Sequence, residues 1–127
     1  MYKEVIISVI IVALIFVGDF FLQKHIEKSV ENLKNNMYYL KDQLEVDNKK
    51  EAEEKLDEIN IQIENFHKTS AFFIEHDELE KVESNFTTCE SFTRSNNFNL
   101  AISELNKTIF VLEHIADKYA FDLENIF

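Results

Sequence analysis

The hydrophobic pattern begins with one uniformly apolar segment near the start of the chain. From Val5 to Leu22, only Ser8, Gly18 and Asp19 interrupt a run of aliphatic and aromatic side chains. Eighteen residues in a helix span about 27 Å, close to the thickness of the hydrocarbon core of a bilayer. The pattern therefore predicts a transmembrane helix. Its membrane-anchor residues include Val5, Ile11, Leu14, Phe16, Phe20 and Leu22.

We interpret this segment as a retained anchor. A cleaved signal peptide ends in small residues at its cleavage site, and the stretch FVGDFFLQK contains no such pair. The helical pattern also continues past this stretch without interruption. A cleaved peptide and a buried core helix are the alternatives. Asp19 lies close enough to the polar flank to reach the headgroups.

Beyond the span, apolar residues recur at steps of three and four, as on one face of a helix. These positions are Leu22, Ile26, Val30, Leu33, Met37, Leu40 and Leu44. The membrane helix is expected to continue outward without a break. About 35 Å of helix between membrane and first turn would hold the bundle off the bilayer. The helix should end at EVDN, where Asp47 or Asn48 caps the next one.

Three further helices are predicted from the same periodicity. The second should end near Glu75 and His76, Asp77 should cap the third, and the third should end at RSNN, residues 94–97. The stripe of the second is Ala52, Leu56, Ile59, Ile63, Phe66, Ser70 and Phe73. That of the third is Leu79, Val82, Phe86, Cys89 and Phe92. That of the fourth is Phe98, Ile102, Leu105, Ile109 and Leu112, flanked by Ala101, Thr108 and Ile115. The tail DKYAFDLENIF is expected to turn back and dock.

The predicted fold is all-α, with an N-terminal transmembrane helix, residues 1–22, that continues into an antiparallel bundle of two helical hairpins, residues 23–127. The segments DNKKEAEEKLDEINIQIE and NNFNLAISELNKTIFVLE lie forty-nine residues apart. They match at Asn48/Asn97, Ala52/Ala101, Leu56/Leu105, Ile63/Leu112 and Glu64/Glu113. Duplication of one hairpin and shared helix-start chemistry both explain this match.

Composition and charge exclude several classes of function. The chain has 24 acidic and 13 basic residues, and the formal net charge of −11 repels nucleic acid and anionic lipid headgroups. With one glycine and no proline, it lacks the glycine-rich loops that hold nucleotide phosphates. Cys89 is the only cysteine, so there is no internal disulfide or thiolate metal cluster. Its apolar periodic position favours a buried structural thiol.

Few residues offer catalytic or metal-binding chemistry. Glu64 and His67 form one E-x-x-H pair, whereas a di-metal site in a bundle needs two such pairs and two further glutamates. No serine lies at a nucleophile elbow. We therefore expect no catalytic, cofactor-binding or metal-ligating residue, and no enzyme. His76, Asp77 and Glu78 are the candidate interaction residues, either as a divalent-ion or pH-sensitive contact or simply as a helix start.

Together these features resemble an uncharacterised bacterial family of small, single-span, membrane-anchored helical proteins, a domain of unknown function. The resemblance rests on the span, the capped x-A-x-x-x-L helix start, the segment FFIEHDELEKVESNF and the ending LENIF. Lys49 and Phe66 stand where that family often has tryptophan, and His76, Asp77 and Glu78 correspond to its His-Glu-Glu-like helix start. The resemblance implies helical architecture and bacterial membrane attachment, and no reaction.

We interpret the chain as a membrane-tethered helical module that works by protein contact, as an accessory or assembly partner of other membrane or envelope proteins. One alternative is a sensory bundle that binds a small ligand between the hairpins. Another is a homo-oligomer joined by a coiled coil through the stripe from Ile26 to Leu44. The expected location is the cell membrane, single-pass, with an extracytoplasmic bundle. The lysines after the span, Lys24, Lys28 and Lys34, argue instead for a cytoplasmic bundle.

Overall fold

Four α-helices form the structure, a computed structural model that describes the backbone of residues 1–126 and the side-chain surroundings of residues 1–119. They are α1 (Tyr2–Glu45), α2 (Lys49–Ser70), α3 (His76–Arg94) and α4 (Phe98–Ile126), and residues 1–126 include no strand. α1 packs against α2 and α4, and α3 packs against the same two helices. The helices therefore form an antiparallel ring, which confirms the predicted all-α bundle of two hairpins.

α1 is one uninterrupted helix of 44 residues with two different surroundings. In its N-terminal part, an 18-residue window has a mean hydropathy of 2.9 and is 0% buried. By length and composition, this part is sufficient to cross a membrane. The stripe positions from Ile26 to Leu44 are at most 2% exposed. The predicted stripe along this part of α1 is thus confirmed as its contribution to the core.

The core cluster takes residues from all four helices. α2 contributes Ala52, Leu56, Ile59, Ile63 and Phe66, and α3 contributes Leu79, Val82, Phe86 and Cys89. These predicted stripe positions are confirmed. On α4 the stripe is shifted, because that helix packs between α1 and α3. Phe98 and Ile102 are only half-buried, whereas the flanking Ala101, Thr108 and Ile115 are fully enclosed.

The connection between α2 and α3 differs from the prediction. α2 ends at Ser70, whose carbonyl oxygen accepts hydrogen bonds from the amides of Phe73 and Ile74 at 3.0 and 2.9 Å. This turn brings Ile74 into the core at 3% exposure and leaves Phe73, a predicted stripe position, 46% exposed. The predicted end near Glu75 and His76 is therefore wrong, because the tight turn at Ser70 stops the helix earlier.

α3 begins at His76, with Glu75 as an N-cap residue that makes no side-chain capping bond. The predicted cap, Asp77, instead lies in the first helical turn together with Glu78. The prediction of a capping Asp77 is therefore wrong, because the early end of α2 moves the start of α3 toward the N-terminus as well. Acidic side chains in the first turn still favour the helix, since they lie at its positive end.

α4 continues as a helix to Ile126, so the predicted tail does not turn back from it. The stretch contains neither glycine nor proline, and nothing in its sequence stops a helix. Tyr119 packs against the core, and its hydroxyl donates to the carbonyl oxygen of Phe73. The rest of the expected docking concerns side chains outside the described part, those of Phe121, Leu123, Ile126 and Phe127.

The two hairpin turns share one geometry, forty-nine residues apart. Asp47 and Asn96 adopt positive φ angles of 56° and 64°. Asn48 and Asn97 follow them, and each side-chain oxygen accepts a hydrogen bond from the amide three residues later, at 3.5 and 3.4 Å respectively. Of the two predicted caps of α2, the cap is therefore Asn48.

Candidate functional site

The predicted anchor residues lie on the exposed part of α1. Five are between 37% and 65% exposed, namely Val5, Ile11, Leu14, Phe16 and Phe20. Leu22 differs, because it is partly buried and packs against the core cluster. The exposed apolar surface therefore meets the bundle at Leu22.

His76, Asp77 and Glu78 occupy the first turn of α3 but do not form one site. His76 is exposed, and its Nε2 lies 2.9 Å from Glu80 Oε1 on the same helix. Asp77 is also exposed. Glu78 is only 7% exposed and reaches His114 on α4. The structure thus separates the three predicted residues into an exposed pair and a buried carboxylate.

Glu78 lies at the centre of a polar cluster between the start of α3 and the later part of α4. Its Oε1 lies 3.5 Å from His114 Nε2 and 3.7 Å from Lys118 Nζ. Lys118 also contacts Glu75 Oε1 at 2.7 Å, and this hydrogen bond lowers the pKa of Glu75 and raises that of Lys118. The second carboxylate oxygen of Glu78 is buried without a hydrogen-bond partner. The cluster fastens the α2–α3 connector to α4.

A groove of about 390 Å³ lies between α2 and α3, where the two hairpins face each other. The E-x-x-H residues Glu64 and His67 line it together with Lys68 and Glu83. His67 Nδ1 contacts the Glu83 carboxylate, and Glu64 pairs with Lys68 at 3.0 Å. Within the described residues, no three His, Cys, Asp or Glu side chains come together as metal ligands. The groove offers polar contacts to a small ligand.

Cys89 is enclosed in the core at 0% exposure. Burial raises the pKa of its thiol to about 12, so the thiol stays protonated at neutral pH. The thiolate is the nucleophilic form, and a protonated buried thiol is inert. These surroundings fit the structural thiol that the sequence predicted.

The α2–α3 connector carries a feature that sequence reasoning missed. Phe72 is 91% exposed, the highest value among the large apolar residues of the described bundle, and Phe73 beside it is 46% exposed. The sequence did contain a signal of this exposure, namely the two adjacent phenylalanines. Adjacent residues in a helix do not share a face, so Phe72 and Phe73 could not both join the stripe.

These features define an acidic four-helix protein whose first helix extends beyond the bundle as an exposed apolar segment. The chain belongs to the family described as domain of unknown function (DUF4363), whose family model matches residues 20–126. The match covers the bundle and only the last few residues of the apolar segment. It confirms the resemblance to an uncharacterised family. No curated protein and no solved structure matches the chain.

Proposed function

We propose that the chain is a bacterial single-span membrane protein whose helical bundle works by contact with other membrane or envelope proteins, as an accessory or assembly partner and without catalysis. The observation that carries this proposal is α1. Its exposed apolar part runs into its core-forming part without interruption. Exposing apolar surface to water is unfavourable by about 25 cal/mol per Å², and a bilayer removes that surface from water.

A continuous α1 would couple the bundle rigidly to the anchor. Between Phe21, which is 66% exposed, and Ile26, which is 1% exposed, the helix contains neither glycine nor proline. α2 and α4 pack back along α1, and the core begins at Leu22. The bundle would therefore stand directly on the membrane, in contrast to the expectation that α1 holds it off the bilayer.

The exposed surface supports a contact function. It offers contact residues, with His76 and Asp77 at the start of α3 and Phe110, 70% exposed, on α4. The net charge of −11 favours a partner with a basic surface.

Membrane attachment is tested by fractionating cells that make the full chain with a C-terminal tag. The chain should stay in the membrane pellet after alkaline extraction, at the mass of the uncleaved protein. A double variant, Ile11→Asp with Leu14→Asp, should leave the pellet, because each central charge costs about 2.5–3.5 kcal/mol of insertion free energy. The control Phe110→Asp, on the bundle, should remain. Wild-type chain in the supernatant, or shortened by the apolar segment, would contradict the anchor.

Protease accessibility in wall-stripped intact cells tests the extracytoplasmic side. Digestion of the bundle before lysis is the expected result, and protection until lysis would place the bundle in the cytoplasm. Photo-crosslinking from position 77 or 110 then tests the partner. A discrete product with an envelope protein is expected from an exposed position, and none from the buried position 105. Failure of both exposed positions to give a discrete product would refute the contact function.

The groove between α2 and α3 supports a second function, the binding of a small ligand between the hairpins. Its volume of about 390 Å³ falls within the usual range of small-molecule sites, roughly 300–1,000 Å³. A ligand that raised the melting temperature of the full chain would favour this function. The shift should disappear in a His67→Ala variant and persist in a His114→Ala variant, whose side chain is outside the groove lining.

The coiled-coil alternative depended on the stripe from Ile26 to Leu44. That stripe is at most 2% exposed, because α2 and α4 of the same chain cover it. That the chain forms a homo-oligomer stays a prediction. The mass of the detergent-solubilised full chain tests it, and a strictly monomeric mass would contradict it.

A further inference from the structure

The connector between α2 and α3 presents two aromatic side chains to solvent. Phe72 is 91% exposed and Phe73 is 46% exposed, whereas the next residue, Ile74, is 3% exposed. A pair of phenylalanines at one loop tip is unfavourable in water, because their large apolar area stays hydrated. Apolar surface displayed at one place on a protein is typical of a site that contacts a partner or a membrane.

The connector is held in a fixed position. Ile74 is anchored in the core, and the amides of Phe73 and Ile74 both bond to the carbonyl oxygen of Ser70. From α4, the Tyr119 hydroxyl donates to the carbonyl oxygen of Phe73. The aromatic pair is therefore displayed by a braced turn.

This turn lies at the level where the apolar part of α1 meets the bundle. His25 of α1 lines one groove together with Phe66 and Thr69 of α2, so Thr69 lies beside His25. α2 runs toward the N-terminal end of α1, and Phe72 follows Thr69 by three residues. Leu22 precedes His25 by the same number of residues, about 4.5 Å along a helix. Phe72 therefore lies at about the level of Leu22, the end of the predicted span.

We propose that Phe72 and Phe73 insert into the interface of the bilayer that α1 crosses, as a second membrane contact of the same chain. The inference rests on the proposed anchoring by α1. Apolar side chains of interfacial segments bury about 5–10 Å into the boundary between headgroups and acyl chains. The net charge of −11 offers no attraction to anionic lipid, so the contact is apolar. It should form on zwitterionic lipid and resist salt.

Two membrane contacts orient the bundle, whereas one would not. A single helix through the bilayer leaves the bundle free to rotate about the axis of α1 and to tilt. The connector supplies a second contact beside that axis, which fixes which faces of the bundle point sideways. The turns at Asp47 and Asn96, at the opposite end of the helices, then point away from the membrane. Partner proteins of the same membrane would meet the sides of the bundle.

Tryptophan fluorescence tests this contact, because the chain contains no tryptophan. Three full-length variants, Phe72→Trp, Phe110→Trp and Phe16→Trp, are reconstituted separately in phosphatidylcholine vesicles. Lipids brominated near the headgroup or deep in the chain report depth, and iodide on both sides of the vesicle reports exposure to water. A parallel set at high salt tests for an electrostatic contribution.

Phe110 is the matched control. It is a phenylalanine 70% exposed on the same bundle, three residues before Glu113, which pairs with Lys34 of α1 at 3.4 Å. Lys34 lies twelve residues beyond Leu22, about 18 Å along the helix. The Phe110→Trp variant should therefore be quenched by iodide and not by brominated lipid. The Phe16→Trp variant reports the anchor and should be quenched by brominated lipid.

The Phe72→Trp variant should be quenched by the shallow brominated lipid, protected from iodide and blue-shifted, at low and high salt alike. Quenching by iodide would overturn the proposal, because the loop would then lie in water. Protection from both quenchers would also overturn it, since protein would then cover the loop. If brominated lipid quenches neither the Phe72→Trp variant nor the Phe16→Trp variant, α1 does not anchor the chain in the bilayer. A lipid-quenched Phe16→Trp with an iodide-quenched Phe72→Trp rejects only the second contact.

Discussion

The two hairpins, one built from the second part of α1 with α2 and the other from α3 with α4, repeat one another at an offset of forty-nine residues. Leu56 and Leu105 are both 0% exposed, as are Ala52 and Ala101. Each turn has one residue with a positive φ, followed by a capping asparagine. The sequence match therefore corresponds to equal structural positions, as duplication of one hairpin would produce.

The hairpins differ in residue type at positions of equal burial. Leu40 and Leu44 of the first hairpin correspond to Cys89 and Thr93 of the second, and all four are at most 1% exposed. The Thr93 hydroxyl donates to the carbonyl oxygen of Cys89 at 2.9 Å, so it is not left unpaired in the core. The difference teaches that the packing position is kept while its chemistry varies, provided that polar groups are satisfied.

The largest expected effect comes from creating a cavity at the same place in each hairpin. Leu56→Ala and Leu105→Ala should each lower the free energy of unfolding by about 2–5 kcal/mol, because both leucines are fully buried. Urea unfolding of the full chain in detergent, followed by circular dichroism, measures the loss. The control Ile61→Ala, at a position 62% exposed, should change it by less than about 0.5 kcal/mol. A large loss of unfolding free energy for only one of the two leucine variants would show that the two hairpins are not equivalent in the core.

The reactivity of the Cys89 thiol tests whether equivalent core positions of the two hairpins are equally protected from solvent. With its pKa raised to about 12 from the usual 9.0, the thiolate fraction at pH 8 falls by about a thousandfold. Alkylation by iodoacetamide, followed by mass spectrometry, should therefore be much slower in the folded chain than in urea. Leu40→Cys in a Cys89→Ala background places a thiol at the equivalent position and should react as slowly. Alkylation of Cys89 at the rate of a free thiol would show that the second hairpin opens.

The same pKa predicts a dependence of stability on pH. The folded chain keeps the Cys89 proton up to a pKa of about 12, whereas the unfolded chain loses it near 9.0. The free energy of unfolding should therefore fall as pH rises from 9.0 toward 12. Below pH 9.0 the thiol is protonated in both the folded and the unfolded chain, so it adds no dependence on pH there. Cys89→Ala removes this contribution. The difference in slope between wild type and variant is the measurement, and equal slopes would contradict the raised pKa.

Loss of the caps should have a smaller effect, similar in the two hairpins. Asn48→Ala and Asn97→Ala should each lower the free energy of unfolding by about 0.5–1 kcal/mol. The lower part of the known range is expected because the capping bonds are long, 3.5 and 3.4 Å. Asn97→Asp keeps an acceptor and should preserve stability in the same denaturation experiment. Asn48→Asp also keeps the acceptor but loses the hydrogen bond that the Asn48 amide donates to Gln43 Oε1 at 3.1 Å, so it should preserve stability less fully. An undiminished stability of either alanine variant would show that its cap contributes nothing.

The smallest effect is expected at the residues with positive φ, and it has the opposite sign. Asp47→Gly and Asn96→Gly should raise the free energy of unfolding by roughly 0.5 kcal/mol or less, because glycine adopts this conformation without steric cost. The gain should be larger at Asp47, since asparagine is the better tolerated of the two after a helix end. Asp47→Ala, measured beside them, should destabilise the chain. A loss of stability in both glycine variants would contradict this account of the turns.

Much of the fold was accessible from local pattern, because a helix that buries one face must repeat apolar residues at steps of three and four. The stripe from Ile26 to Leu44 and the turn at Asn48 were predicted on that basis. The connector was not, since its path depends on the Ser70 carbonyl and on the burial of Ile74. The candidate site was only partly accessible. His76, Asp77 and Glu78 are adjacent in sequence, yet only Glu78 reaches α4.

The sequence by itself determined the helices, the two hairpins and the single apolar segment, because local periodicity and helix-start chemistry act over a few residues. Tertiary structure alone decided that Glu78 meets His114 and Lys118, that Glu64 and His67 line a groove with Glu83, and that Phe72 stays outside the core. These outcomes depend on the rotation and relative height of packed helices. Those two quantities are set by the whole core together, and no short stretch of the sequence encodes them.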